Sequence, residues 1–196
     1  MSIYTLKTKF QALLRPLVRR LHALGVTANQ VTLFACLVSI VLGALLVRAP
    51  RTWFALVPLW MFVRMGLNAI DGMLARELGQ KSALGAYLNE LTDVVSDAAL
   101  YLPFAFVAPF TWWSVCAVIF AAALSEMTGV VAVMTGAARR YDGPMGKSDR
   151  AFVFSVLALF VALRWPLHDA VMWVLATLTA VTIVNRIRGG LRESSV

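Results

Sequence analysis

From Ala28 onward the chain alternates long apolar runs with short polar breaks, and each break carries glycine, proline or charge. Six runs stand out, near 28–48, 52–78, 83–107, Trp112 to Arg139, Ser148 or Asp149 to Trp165, and 167–188. A helix of about 20 apolar residues crosses roughly 30 Å of hydrocarbon, so each run predicts a transmembrane helix. Thr27 suits the N-cap of the first, Pro109 closes the third, and Ser148 or Asp149 can cap the fifth. The fifth is short, and Arg164 would reach its interface by extending its aliphatic stem. Ahead of these runs, Ile3, Leu6, Phe10, Leu13, Leu14, Leu17 and Leu21 recur at mostly helical steps, with Lys7, Arg15 and Arg19 away from them. That pattern predicts an amphipathic helix lying in the membrane interface, with Pro16 as a possible kink. The expected fold is an all-α membrane protein of six transmembrane helices plus an N-terminal interfacial helix. Its regions are residues 1–25, a 26–190 membrane domain and a 191–196 cytoplasmic tail.

Composition strengthens this reading: 60% of residues are hydrophobic, 14% are charged, and the mean hydropathy is +0.78. Soluble domains are near 45–50% apolar and about 25% charged, so lipid is the expected solvent. Cys36 and Cys116 lie in apolar stretches and read as ordinary buried small residues. The first 24 residues lack a continuous apolar stretch of the kind found in cleavable leaders. The net charge of +8 raises nucleic-acid binding, but the cations cluster at the ends of apolar runs, which is the signature of membrane topology.

One set of run ends carries Lys7, Lys9, Arg15, Arg19, Arg20, Arg76, Lys81, Arg139, Arg140, Lys147, Arg150, Arg186, Arg188 and Arg192. The opposite set carries only Arg48, Arg51 and Arg164. This bias predicts both termini in the cytoplasm, which requires an even number of spans. Trp53, Trp112, Trp113 and Trp165 fall at the outer ends, where an aromatic belt belongs. His22 and His168 flank runs without metal-like partners and are expected at the interface.

Polar side chains within spans are costly and usually functional. The second run carries Arg64, Asn68 and Asp71 at steps of four and three; the third carries Asn89, Asp93 and Asp97 at steps of four. Each set shares a helix face. A short turn from Gly79 to Ser82 would fold the runs together, bringing Asn68 and Asp71 opposite Asn89 and Asp93. Four oxygen donors from two helices suit a hard cation such as Mg²⁺. Gly72, Ala75, Gly85 and Ala86 leave space for a ligand, and Arg76 offers charge for phosphate. Together these features point to metal-assisted phosphoryl or phosphatidyl transfer.

Asn68-Ala-Ile-Asp71-Gly72-Met-Leu-Ala75-Arg76, eight residues, Gly85, three residues, Asn89, three residues, Asp93 resembles the CDP-alcohol phosphotransferase signature. That signature is D-x-x-D-G-x-x-A-R, eight residues, then G-x-x-x-D-x-x-x-D, and every spacing agrees. The resemblance implies transfer of a phosphatidyl group from CDP-diacylglycerol to a small alcohol, with release of CMP, in a homodimer of the bacterial inner membrane. It implies that Asn68, Asp71, Asn89 and Asp93 hold Mg²⁺ or Mn²⁺, one ion or two, and that Asp93 also deprotonates the acceptor. Gly72, Ala75 and Gly85 would line the cytidine pocket, with Arg76 on the phosphates. Asn68 and Asn89 depart from the pattern, which lowers the nominal charge of the four positions from −4 to −2. Glu90 points about 100° from Asn89 on a helix and is a poor substitute. The departure keeps a CDP-lipid-binding pseudoenzyme open beside the transferase. A cation transporter fits less well, because the charges gather at one end of the bundle.

Arg64, Asp97 and Glu126 are expected at similar depth, as a structural polar network or a set that tunes Asp93. The loop from Arg139 to Arg150, with Gly143, Pro144 and Gly146 as turn residues, holds Arg139, Arg140, Lys147 and Arg150. Topology alone accounts for them; the functional reading is a pocket for the phosphate of an acceptor such as glycerol 3-phosphate or inositol phosphate. Thr27-Ala28-Asn29 resembles the family's T-P-N start of the first span, with alanine for proline. Gly43 and Gly129 suit helix packing.

Overall fold

The computed structural model describes residues 3–194, with side chains from Phe10 onward. The side chains of Ile3, Leu6, Lys7 and Lys9, and residues 195–196 of the expected tail, lie outside the described residues. Among the described residues there are seven α-helices and no strand: α1 (Ile3–Ala23), α2 (Ala28–Leu46), α3 (Leu56–Glu77), α4 (Ala83–Tyr101), α5 (Trp112–Met134), α6 (Lys147–Ala162) and α7 (Ala170–Ser194). Short 3₁₀ turns, Arg51–Ala55 and Leu102–Phe106, lead into α3 and out of α4. Among the described residues, α2, the stretch Arg51–Glu77, α5 and α7 are the four helices long and apolar enough to cross a membrane.

The helix ends follow local chemistry. Thr27 and Gln30 form a reciprocal cap at the start of α2: Thr27 N donates to Gln30 Oε1 at 2.9 Å and Gln30 N to Thr27 Oγ1 at 3.2 Å. At the start of α6 the capping carboxylate comes from inside the first turn, Asp149 Oδ2 accepting from Gly146 N at 3.0 Å, so the helix begins before Ser148. The α5 helix stops at Met134, short of the expected Arg139. Gly136 takes φ +87°, its N–H donates to Val133 O, and Ala137 N donates to Ala132 O. This left-handed C-terminal cap satisfies carbonyls that the helix leaves open. The α7 helix runs six residues past the expected 188, because Glu193 in its last turn accepts from Ala138 N at 3.0 Å and Arg140 Nη1 at 2.6 Å.

The chain forms two compact units, through which α2, α3 and α4 each pass. The first comprises the chain up to Val38 together with Phe62–Asp93. Its core is Val18 of α1, Ala28 and Val31 of α2, and Ile70, Met73 and Leu74 of α3, with Leu14, Leu21 and Leu67 packed against them. The α1 helix therefore turns part of its apolar stripe onto α3, while Leu13 and Leu17 remain exposed. Arg15 Nη2 reaches Glu77 Oε1 at 3.1 Å on the same side.

The second unit comprises Ser39–Met61 and Val94–Val196, as far as the described residues extend. Its core centres on Phe54, Tyr101, Phe104 and Phe154. Tyr101 stacks on Phe154 with centroids 3.7 Å apart, and Phe104 meets Phe54 and Phe154 edge-on at 5.2 Å. Gly43 and Gly129 are close-approach positions, as their sequence context predicts. A Cβ at Gly43 would overlap the Ala99 carbonyl, and one at Gly129 would come within 2.7 Å of Arg140 O. Cys36 is buried, whereas Cys116 is exposed on α5, which corrects the expectation that both are buried. An apolar face turned outward is the ordinary state of a helix solvated by lipid.

Candidate active site

The candidate residues on α3 and α4 from Arg64 to Asp93 fall in the first unit, and Asp97 belongs to the second. The turn between the helices is built for a tight reversal: Gly79 takes φ +71°, which an L side chain resists, and Gln80 N reaches back to Leu74 O at 3.4 Å. Ser82 then caps α4, its Oγ accepting from Gly85 N at 2.9 Å.

This hairpin brings Asn68 and Asp93 together. Asn68 Nδ2 lies 3.5 Å from Asp93 Oδ1, at the long end of hydrogen bonding. Arg64, only 4% exposed, donates through Nη2 to Asp93 Oδ1 and to the Asp93 backbone O, both at 3.2 Å. Asp71 is buried, and its Oδ2 lies 2.8 Å from Thr32 Oγ1 of α2. The same hydroxyl lies 3.1 Å from Ala28 O, and its one hydrogen serves one acceptor at a time.

A cleft of about 650 Å³ opens in this unit. Asp71, Gly72, Ala75, Arg76, Gly85 and Asn89 all line it. The motif glycines are explained by what a side chain would meet. A Cβ at Gly72 would lie 2.6 Å from Arg76 Nη2, so glycine lets that guanidinium fold back along α3. A Cβ at Gly85 would lie 2.9 Å from Asn29 Oδ1 and 3.0 Å from Ser82 Oγ. Asn29, Thr32, Gln80, Lys81 and Ser82 also line the cleft, none of them singled out as a ligand contact from the sequence. The signal for Asn29 was its place in the Thr-Ala-Asn helix start. Gln80 offered none; its side chain accepts from Ala28 N at 2.7 Å and lies 3.2 Å from His22 Nδ1.

The donor set can be judged for a divalent ion. Among the described residues, no group of three or more His, Cys, Asp or Glu side chains is placed to hold a metal. Asp71 and Asp93 supply two carboxylates, and Asn68 and Asn89 can add amide oxygens, which are weaker but chemically suitable ligands for Mg²⁺ or Mn²⁺. The residues therefore fit a hard divalent cation as a donor set of low charge.

The basic residues assigned to an acceptor phosphate lie in the second unit and divide among themselves. Arg150 is 1% exposed; its Nη2 contacts Glu126 Oε1 at 2.9 Å and Asp97 Oδ2 at 3.6 Å, and its Nη1 donates to Ser125 Oγ and Met145 O, both at 3.1 Å. Both terminal nitrogens are thus committed within the fold, and Arg150 leaves the set open to a ligand. The polar network around Asp97 and Glu126 is correspondingly recast. Its central cation within this unit is Arg150, which its sequence position puts in the basic loop, with Arg186 3.4 Å and Arg139 3.5 Å from Glu126 oxygens. Arg139 also lies over the Tyr141 ring, 5.0 Å from its centroid.

Arg140 grips Asp142 through Nε and Nη2 at 2.7 and 2.9 Å. Hydrogen bonding to Asp142 raises the Arg140 pKa, and the same guanidinium holds the Asp142 carboxyl below its usual range. Arg140, Asn185, Arg188 and Arg192 line a groove of about 610 Å³. Lys147 is the first residue of α6 and is partly exposed.

Comparison with known proteins adds to this geometry. A family model described as CDP-alcohol phosphatidyltransferase matches residues 25–184. The inner membrane protein YnbA of Escherichia coli K12 is 43% identical, with 100% of this chain and 99% of that protein covered. The phosphatidylinositol phosphate synthase of Mycobacteroides abscessus is 29% identical over 90% of this chain and 83% of its own length. The fold is also similar to that of Mycobacterium tuberculosis phosphatidylinositol phosphate synthase in complex with manganese and citrate, with a TM-score of 0.75, 20% identity, and coverage of 90% and 88% of the two chains. A second structure of that synthase, with CDP-DAG bound, has the same TM-score, and coverage is 89% of this chain and 92% of that one. With the motif spacing intact and the family match spanning most of its length, the chain belongs to the CDP-alcohol phosphatidyltransferase family.

Proposed function

We propose that this protein transfers the phosphatidyl group of CDP-diacylglycerol to the hydroxyl of a small phosphorylated alcohol and releases CMP. The observation that carries the reading is the cleft that Asp71, Gly72, Ala75, Arg76, Gly85 and Asn89 line together. The nucleotide would lie along Gly72, Ala75 and Gly85, where small side chains admit it, and Arg76 would face the diphosphate. Asp93 would accept the proton of the acceptor hydroxyl. The freed oxygen then attacks the phosphorus that bears diacylglycerol, and the P–O bond to CMP breaks. Asn68, Asp71, Asn89 and Asp93 are the residues that would hold Mg²⁺ or Mn²⁺. Such an ion supplies Lewis-acid stabilisation of charge on the phosphate oxygens. That the M. tuberculosis synthase was solved in complex with manganese and with CDP-DAG bound supports a divalent ion and a CDP-lipid as the ligands.

For the acceptor phosphate we assign Lys147 with Arg188 and Arg192 of the 610 Å³ groove; Arg140, held by Asp142 and Glu193 in that groove, and Arg139, on Glu126, are committed as Arg150 is. Relatives named phosphatidylinositol phosphate synthase favour an inositol phosphate over glycerol 3-phosphate. We place the protein in a bacterial inner membrane as a homodimer with six spans, both termini cytoplasmic, and α1 at the interface. The relative named as an inner membrane protein and the arginine and lysine bias support this placement.

The test is CMP release from CDP-diacylglycerol by purified protein in mixed micelles, with a panel of acceptors. Metal-dependent release requiring one phosphorylated alcohol is expected, together with at least a hundredfold loss in Asp93→Asn, the scale of a lost general base. Binding of CDP-lipid without turnover for any acceptor would instead favour the pseudoenzyme, a reading that Asn68 and Asn89 keep in view.

A further inference from the structure

We infer that this site takes one divalent cation, admitted together with the substrate diphosphate, and that the Arg64 guanidinium stands as the fixed positive charge where a second ion would otherwise be needed. The inference rests on the CDP-lipid reading above and adds the stoichiometry and order of loading.

Arg64 is buried in α3, and one of its nitrogens donates to both the carboxylate and the backbone oxygen of Asp93. That two-point hold fixes the guanidinium on the carboxylate, and Asn68 approaches the same Oδ1 with an N–H. Asp93 Oδ1 is therefore already matched by a cation and a donor before any ion arrives. A guanidinium is always protonated and cannot be displaced as a bound water can.

The charges lead to the same conclusion. Asp71, Asp93 and the cleft's Glu90 bring −3, and Arg64, Arg76 and the cleft's Lys81 bring +3, so these six side chains are neutral without a ligand. A dialkyl diphosphate of the CDP-lipid type adds −2, and one divalent ion restores neutrality. A second ion would leave +2 beside the buried Arg64, which is costly in low dielectric. Aspartate at positions 68 and 89 would supply the two missing negative charges; the asparagines present do not. An empty neutral site attracts a divalent ion weakly, whereas the diphosphate supplies both charge and oxygen ligands. Metal and CDP-lipid should therefore bind with positive coupling, and coupling of this kind is reciprocal.

The experiment is a Mn²⁺ titration of the full-length protein in detergent, followed by the electron paramagnetic resonance signal of free Mn²⁺, with and without saturating CDP-diacylglycerol. One equivalent per chain is expected with the lipid, and at least tenfold weaker binding without it. The double variant Asn68→Asp, Asn89→Asp should bind Mn²⁺ without lipid and accept a second equivalent with it. Arg64→Gln should tighten lipid-free Mn²⁺ binding. Two equivalents in the unaltered protein, equal affinity with and without lipid, or lipid binding with no Mn²⁺ uptake would each overturn the inference. Should the variants fail to fold, the titration of the unaltered protein decides alone. CMP release from the same samples separates the two conclusions. One lipid-coupled equivalent without CMP release keeps the inference and removes the transferase; CMP release with two equivalents does the reverse.

Discussion

Arg150 shows what a single residue's surroundings can do to its role. Counted by position it belongs to a basic loop, yet it is among the most buried large side chains and faces two carboxylates. Removing one partner of a buried ion pair leaves the others desolvated and unpaired, at a cost of about 3–5 kcal/mol. Arg150→Met should accordingly lower the thermal midpoint in detergent by several degrees. Arg150→Lys should recover only part of the loss, because an ammonium cannot reproduce contacts from two separate guanidinium nitrogens. Differential scanning fluorimetry of the two variants checks both statements. The signal was present in the sequence: Arg150, Phe154, Leu157, Ala158 and Val161 recur at steps of four, three, one and three, and all are buried. Charge at the end of an apolar run masked it. Asp71 and Asp93 were legible because their spacing survives, but Thr32 and Gln80 act from other segments, and no local pattern announces such partners.

Between elements, the joints decide what can be read in advance. The α3–α4 hairpin was legible because its turn is short and both helices carry polar residues at helical steps. The joint between the starts of α5 and α7 was not, because 55 residues separate Ser114 from Asp169. There Asp169 accepts from Ser114 Oγ at 2.5 Å and from Thr111 N at 2.9 Å, outside the spans. Burial raises its pKa, but the hydrogen bonds from Ser114 and Thr111 outweigh it, and the carboxyl titrates below its usual value. With the folded pKa lower than the unfolded one, the linked stability is complete above the ordinary aspartate range, near pH 4, and is lost as pH falls through the folded value. Asp169→Asn should flatten that acid limb and leave stability at neutral pH less dependent on this joint. Thermal midpoints of both proteins from pH 6 down to about pH 2.5 test the expectation.

At the scale of the molecule, hydropathy finds four crossing helices among the described residues where the alternation of runs predicts six. The shortfall has a physical source. The α4 helix carries Asn89, Glu90, Asp93 and Asp97, and α6 is 16 residues long with Lys147, Asp149 and Arg150 in its first turn. These polar side chains dilute the apolar signal of the helices that carry them. The proposed six-span arrangement makes a directional prediction: green fluorescent protein fused at either terminus should fluoresce, and alkaline phosphatase fused there should be inactive. Activity of a C-terminal phosphatase fusion would rule out cytoplasmic placement of that terminus and, beside a fluorescent N-terminal fusion, an even number of spans.

The leading helix also bears on how the protein can be cut and recombined. Composition marks a frontier near residue 25, and α1 reads as a detachable float. Yet Val18 is in the core with Met73 and Leu74, Arg15 meets Glu77, and Gln80 touches both His22 and Ala28 at the rim of the cleft. A hybrid that takes its membrane domain from this chain and its first helix from a cousin would import a foreign hinge into the cleft's wall. Lineages that exchange such segments would have to carry residues 15, 18, 22, 77 and 80 as one inherited block.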